Sequence, residues 1–324
     1  MIVTLAGGVG GARMAAGLAA ALPAGALTVI VNTADDFEHL GLSISPDLDT
    51  VMYTLAGVEN AEQGWGLRDE TWQAMDALGR LGGETWFRLG DRDLATHLER
   101  TRRLRAGEPL SQVTAALCRA LGIGARVLPM TDASVRTFVE TDAGTLAFQD
   151  YFVRRRCEPR LKTVWLQGIA AAKAAPAVEA TLAGAAIEAI IIAPSNPFVS
   201  VAPITAVAEI GRALRERQAP CIAVSPIVGG KAIKGPAAKM MAELGVEVSA
   251  LGIARHYLGL ADGIVIDELD RTLADPIAAL GLAVHVCDTI MRDAAGRRRL
   301  AEETLAFAAT LRRQGRWRGG THSP

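Results

Sequence analysis

The residues best suited to chemistry sit in two glycine-rich turns, a run of carboxylates, one arginine beside aromatics and a proline-flanked polar pair. Gly7-Gly8-Val9-Gly10-Gly11-Ala12-Arg13 follows the apolar run Val3 to Leu5 and precedes an Ala-rich stretch to about Leu22. Glycines between a strand and a helix let the backbone pass close to an anion, and the helix N–H groups and dipole favour phosphate there. Gly8, Gly10, Gly11 and Arg13 are therefore expected phosphate ligands; the bland alternative is a tight turn with no ligand. The spacing is not the dinucleotide fingerprint, because counting from Gly8 the third glycine position is Arg13, and no Gly-Lys-Ser/Thr follows to make a Walker loop. A second candidate is Gly229-Gly230-Lys231-Ala232-Ile233-Lys234-Gly235-Pro236. Gly235 as N-cap and Pro236 as first helical residue predict a helix start, with Lys231 and Lys234 beside it as an anion site. Both turns follow apolar runs, so strands of one parallel sheet would bring them to one edge, at the two ends of a nucleoside diphosphate.

The carboxylates lie in Asn32-Thr33-Ala34-Asp35-Asp36-Phe37-Glu38-His39 and in Ser45-Pro46-Asp47-Leu48-Asp49-Thr50. The first stretch begins where a second strand ends, the edge of an open sheet at which ligands bind. One acid there suits a ribose hydroxyl; several together suit a hard divalent cation bridging diphosphate oxygens. Ser45 reads as an N-cap and Pro46 as the first helical residue, which puts Asp47 and Asp49 in the first turn, where acids stabilise the dipole by about 0.3–1 kcal/mol. At about 100° per residue the two lie about 200° apart, so a regular helix presents only one of them to a ligand. Leu48, Val51, Met52 and Leu55 form the buried stripe, and Asp49 at its edge beside Tyr53 is the site candidate. Trp86-Phe87-Arg88 suits stacking and hydrogen bonding to a flat ring. Asp91 is the expected cap of the following helix. His97, near an apolar helical stripe, is expected at the edge of the core rather than as a base. Pro194-Ser195-Asn196-Pro197 holds a hydroxyl and an amide on a rigid loop, suited to a base or a phosphate.

Elements that position these residues follow from periodicity. Val3–Leu5, the glycine turn, an Ala-rich helix and Leu27–Val31 form a βαβ unit, whose crossover implies a parallel sheet. Residues 46–122 read as mainly helical, with Leu94, Leu98, Thr101 and Leu104 at helical spacing, and 58–122 is expected as a helical insertion. Between 126 and 155 the alternation of Val135, Thr137 and Val139, then Leu146 and Phe148, with Asp142-Ala143-Gly144 as a turn, predicts antiparallel strands. Ile187–Ala193, Cys221–Val224, Val246–Leu251, Gly263–Ile266 and Ala283–Val286 read as buried strands. The fold class is thus α/β: a Rossmann-like parallel-sheet core from 1–57 and 123–310, a helical insertion, a short antiparallel segment, and a flexible basic tail from 311 to 324.

Composition narrows the classes. At 324 residues, 50% hydrophobic and 21% charged, the chain can bury a large core. Lys+Arg 34 against Asp+Glu 35 leaves a net charge of −1, which argues against a general nucleic-acid or acidic-membrane binder. Cys118, Cys157, Cys221 and Cys287 are far apart with no CxxC, which argues against a zinc ribbon or disulfide scaffold and fits a reducing cytoplasm. The apolar runs are short for a membrane span, and the N-terminus lacks a basic region of signal-peptide type.

Taken in order, the motifs resemble the 2-phospho-L-lactate transferase family, called CofD in archaea and FbiA in actinobacteria. The resemblance rests on Gly7–Arg13, Asn32-Thr33 with Asp35-Asp36, Ser45–Gly57, Trp86–Asp91, Pro194–Pro197 and Lys234–Pro236, spread over residues 1 to about 290. It implies a Rossmann-like homodimeric enzyme of coenzyme F420 biosynthesis that requires Mg²⁺. Such an enzyme joins a GDP-linked three-carbon acid (phospholactate, phosphoenolpyruvate or phosphoglycerate) to the ribityl hydroxyl of the deazaflavin Fo and releases GMP. The family's Fo-contacting acid and basic residue map onto Asp49 and Arg88. Mg²⁺ would then be held by Asp49 with Asp35 or Asp36, unless Asp49 instead accepts the hydroxyl proton. Gly8, Gly10, Gly11, Arg13, Ser195, Asn196, Lys234 and Gly235 would hold the nucleotide and its phosphates. Two other readings stand beside this one. A nucleotide-sugar-binding regulatory module resembling YvcK shares the superfamily, though the Pro-Asp-Leu-Asp-Thr run and Trp86-Phe87-Arg88 favour the transferase. An NAD-dependent oxidoreductase would place Asp35 at a suitable distance past the glycines, but Arg13 breaks the fingerprint.

Overall fold

The computed structural model describes residues 1–184 and 186–317. Its centre is a seven-stranded parallel sheet in the order Ala283–Cys287, Gly263–Asp267, Cys221–Val224, Ala189–Ile192, Ile2–Ala6, Leu27–Val31, Arg126–Pro129. The inner strands are buried along their whole length, and mostly apolar, because both faces are covered. On one face lie the first helix, Gly8–Ala21, and the helices Pro46–Leu55 and Ala294–Arg313, packed around Met14, Leu18, Leu48, Val51, Met52 and Leu300. Val178, Ile204, Ile210, Met241 and Ile253 cover the other face. From the central strand Ile2–Ala6 the chain builds outward to Leu27–Val31 and Arg126–Pro129. It then returns to the other side of the centre at Ala189–Ile192. The order reverses between these two central strands, and in an open parallel sheet that is where a ligand crevice opens. The glycine turn and the Pro194–Pro197 loop follow these same two strands.

Several expected elements differ in detail. The 46–122 stretch holds helices Pro46–Leu55, Gln73–Arg80, Asp93–Arg105 and Leu110–Ala120, separated by irregular segments at 58–72 and 81–92. Val246–Leu251 is not a strand: Ser249 Oγ accepts the Gly252 N–H at 3.0 Å and starts the helix Ala250–His256, a cap hidden inside an apolar run. The antiparallel segment gains a third strand, Leu161–Gln167, beside Arg136–Thr141 and Gly144–Ala147. Gly229 and Gly230 form the left-handed turn, φ +55° and +74°, of a hairpin between Ile227–Val228 and Lys231–Ala232. They are not a helix-entry anion turn, and Pro236 rather than Gly235 caps the short helix Ala237–Glu243. Leu311 to Arg313 belong to the last helix, and residues 318–324 of the expected tail lie outside the described residues. All four cysteines are free and buried. No single helix among the described residues is long and apolar enough to cross a membrane.

Candidate active site

A cavity of about 780 Å³ opens at the crevice. Its floor is the glycine turn, and each glycine has its own cause. Gly8 has φ +62°, a conformation that disfavours a side chain. At Gly10 a Cβ would lie 2.1 Å from the Pro194 carbonyl oxygen, and at Gly11 2.6 Å from Ser195 Oγ. These two glycines thus let the loop after the fourth strand close on the turn. Ser195 Oγ accepts the Gly7 N–H at 3.2 Å and donates to the Gly7 carbonyl at 2.9 Å. Asn196 Oδ1 accepts the Phe198 N–H. Ser195 thus braces the floor and Asn196 its own loop, and that loop lines the cavity. The N–H groups in the first turn of the helix Gly8–Ala21 lack intrahelical acceptors, and its positive pole faces the cavity.

Beside the floor stand two cations whose hydrogen bonds go to backbone carbonyls. Arg13 donates to Ala61 O at 3.3 Å and Met291 O at 3.4 Å; Lys234 Nζ donates to Glu62 O and Gln63 O at 3.3 Å each. Burial, and then the neighbouring Arg13 charge, pull the Lys234 amine below its usual range. Glu59 acts on the Arg13 charge from nearby, and Asp47 holds the Gly8 N–H of the same floor. Gly235 also lines the cavity; Lys231, exposed on the hairpin, does not.

Four carboxylates, Asp35, Asp47, Asp49 and Asp93, line the cavity. Asp47 and Asp49 both line the cavity, as does Pro46, so the helix presents its N-terminal end rather than one face. Ser45 precedes the helix, but its Oγ donates to Asp36 Oδ2 at 2.8 Å instead of capping. Asp47 accepts from Gly8 N at 2.8 Å and from Asn32 Nδ2 at 2.9 Å, tying the end of the second strand to the glycine turn. Burial pushes Asp47 up to about 6, against the pull of Asn32 and Gly8. Burial and then the nearby Asp47 charge drive Asp35 well above the carboxylate range, and Asp35 Oδ1 is buried without a partner. Asp36, raised by burial to about 7, does not line the cavity. Asp36 is instead held by Ser45 away from the cavity, so the expected pair Asp35-Asp36 is split. Asp49 gives both carboxylate oxygens to the guanidinium of Arg100, one at 3.0 Å from Nη1.

The far end is aromatic. Trp86 and Phe87 meet at 5.7 Å in an edge-on pair, and Phe148 and Phe152 stack at 5.5 Å; all four line the cavity. Arg88 reaches the cavity with its guanidinium 4.2 Å above the Trp72 ring. Sequence reasoning missed Phe152, Trp65 and Arg100, and placed Phe148 only as a strand residue. Leu98, counted there in an apolar stripe, is 57% exposed; the buried face of Asp93–Arg105 is Asp93, His97, Arg100 and Thr101. The signal available was a polar set at helical spacing, 93, 97 and 100.

A family model, 2-phospho-L-lactate transferase CofD, matches residues 2–305. The chain belongs to the CofD family. CofD relatives cover nearly its whole length, and membership makes it a transferase of the F420 pathway. The phosphoenolpyruvate transferase of Streptomyces griseus is 44% identical over 317 residues, 96% of this chain and 99% of the relative. That of Mycobacterium tuberculosis is 40% identical, covering 89% and 94%. The 2-phospho-L-lactate transferase of Methanosarcina acetivorans is 38% identical, covering 96% and 100%. A crystal structure of a UPF0052 family member from Bacillus halodurans superposes with a TM-score of 0.60 at 16% identity, over 94% of this chain and 98% of that one, a likeness of fold alone.

Proposed function

We propose that this chain transfers a phospho-three-carbon-acid group from a GDP-linked donor to the deazaflavin Fo, releasing GMP. The carrying observation is that one cavity has a cationic, glycine-floored end, an aromatic end bearing Arg88, and carboxylates between them. The diphosphate suits Arg13, Lys234 and the first-turn N–H groups. A tricyclic ring suits the Trp86, Phe87, Phe148 and Phe152 walls, with Arg88 as hydrogen-bond donor. The terminal hydroxyl of Fo would then face the phosphorus that carries the three-carbon acid. Its oxygen forms the new P–O bond, the P–O bond to GMP breaks, and the hydroxyl proton is released. Holding the two ends in line and neutralising charge supply most of such a rate.

Mg²⁺ belongs to this reading. Among the described residues no group of three or more His, Cys, Asp or Glu could hold a metal ion, so a closed protein cage is not the arrangement. Mg²⁺ is commonly held by one or two carboxylates together with substrate phosphates. Asp35, with its unpartnered buried oxygen, and the adjacent Asp47 fit that pattern. Asp49, committed to Arg100, fits it less well than the sequence suggested. Bound there, the ion would neutralise the diphosphate and the GMP leaving group. A cytoplasmic homodimer is the state expected from the family resemblance.

Four relatives at 43–44% identity are phosphoenolpyruvate transferases by name, which makes that acid the first donor to test. The experiment is incubation with Fo, Mg²⁺ and each of the three GDP-linked acids, following GMP and product mass. Product with one donor is expected. Fo binding without product from any donor would favour a ligand-binding regulator instead.

A further inference from the structure

Behind Asp49 lies a buried polar cluster that ordinary helix packing does not require. Arg100 is 0% exposed, and a buried guanidinium is tolerable only when paired. Its two terminal nitrogens fork onto the Asp49 carboxylate. Nη1 also lies 3.2 Å from His97 Nδ1. A guanidinium only donates, so Nδ1 is the accepting nitrogen, and Nε2 lies 3.2 Å from Asp93 Oδ2 without forming a hydrogen bond to it. Asp93 Oδ1 accepts the Tyr53 hydroxyl at 2.6 Å, and Tyr53 is one turn after Asp49 on the same helix. This chain of contacts joins positions 49 and 53 of one helix to 93, 97 and 100 of the other. Asp49, Tyr53, Asp93 and His97 all line the cavity, while Arg100 stands behind them. A buried ion pair is weak evidence of added stability, and apolar residues would join two helices as well. Its place in the cavity wall is what needs explaining.

We infer that Arg100, seconded by His97 and Asp93, is a positioning residue that fixes Asp49 as a hydrogen-bond acceptor for the attacking hydroxyl and withholds it from the role of base. This rests on the proposed reaction. Each Asp49 oxygen already accepts from the guanidinium, and the lone pairs left over can orient a hydroxyl. His97 offers no alternative base, since Nδ1 faces Arg100 and Nε2 faces Asp93. A loose phosphoryl-transfer transition state asks little of a base and much of alignment.

The test is steady-state kinetics with a double-mutant cycle. Arg100→Lys keeps the buried charge and stem but loses the fork, and is expected to lower kcat about tenfold with the donor KM within about twofold. Arg100→Met should lower it about a hundredfold, and the two charges should be removable together: in an Asp49→Asn background, adding Arg100→Met should change kcat less than about twofold. Arg100→Lys at wild-type kcat, or an additive loss in the Asp49→Asn background, overturns the inference. Should Arg100→Met alone not fold, the Lys variant still decides. If the wild-type protein transfers no group, the proposed reaction falls, and Fo affinity measured by deazaflavin fluorescence becomes the readout. Arg100→Lys must then weaken Fo as Asp49→Asn does; an unchanged affinity contradicts the clamp.

Discussion

At Asp49 the charge matters for two separate things, turnover and the solvation of Arg100. Asp49→Asn should lower kcat to below about a tenth of wild type, at least about 1.4 kcal/mol of transition-state stabilisation. From sequence alone the change looks silent for stability. With Arg100 fully buried behind it, the variant should lose about 3 kcal/mol in urea unfolding, and Asp49→Asn with Arg100→Met should recover part of that. A kcat above a tenth of wild type would remove Asp49 from the reaction. Helix-edge geometry was enough to single out Asp49 in the sequence. Asp47 was read only as a helix-start residue, because what holds it in the site is Gly8, 39 residues away, and Asn32, 15 away. Arg100 was invisible for a different reason: its helix was read for apolar spacing, and its buried face is polar.

The loop that presents Arg88 is held by an exchange of caps between two helices. Asp91, expected to cap the helix beginning at Asp93, instead accepts from Gln73 N at 3.0 Å and Ala74 N at 2.9 Å, at the start of Gln73–Arg80. Glu70, which precedes that helix, accepts from Arg92 N at 2.7 Å and Asp93 N at 3.0 Å. Each acid thus closes the other's helix and pins the 81–92 segment between them. Sequence rules look a few residues along the chain for a cap, and these lie about 20 away. Glu70→Ala should cost about 1 kcal/mol of stability, typical of a lost cap. Because the same segment carries Arg88, Fo affinity should fall with it while GDP affinity stays put. Unfolding curves and paired titrations check both; an unchanged Fo affinity would mean that the loop is held by its aromatic packing instead.

Over the whole molecule, the parallel strands were legible as continuous apolar runs, and their meeting at one edge followed from the βαβ unit. The strand Leu161–Gln167 was not, since Lys162, Thr163 and Trp165 face out and break the run. Nor was the charge balance of the folded state. Burial raises Asp36 to about 7 and Asp47 to about 6, and lifts Asp35 in the same direction. Above pH of about 4 the unfolded chain has released these protons while the native state keeps them. Stability should therefore fall as pH rises toward 7, by on the order of a few kcal/mol. Without divalent ions, Tm should be lower at pH 8 than at pH 5, and Mg²⁺ should raise it more at pH 8. A Tm that rises between those values without Mg²⁺ would contradict the buried carboxylate cluster. The central claim is that donor and acceptor occupy opposite ends of one cavity, and calorimetric titration of GDP and of Fo into Lys234→Ala and Arg88→Ala tests it most directly. Loss of one charge-assisted contact, about 1.5–3 kcal/mol, should weaken GDP roughly ten- to hundredfold in Lys234→Ala with Fo unchanged, and Fo in Arg88→Ala with GDP unchanged. If both variants lose GDP equally and keep Fo, Arg88 is a phosphate ligand and the two-ended site is wrong.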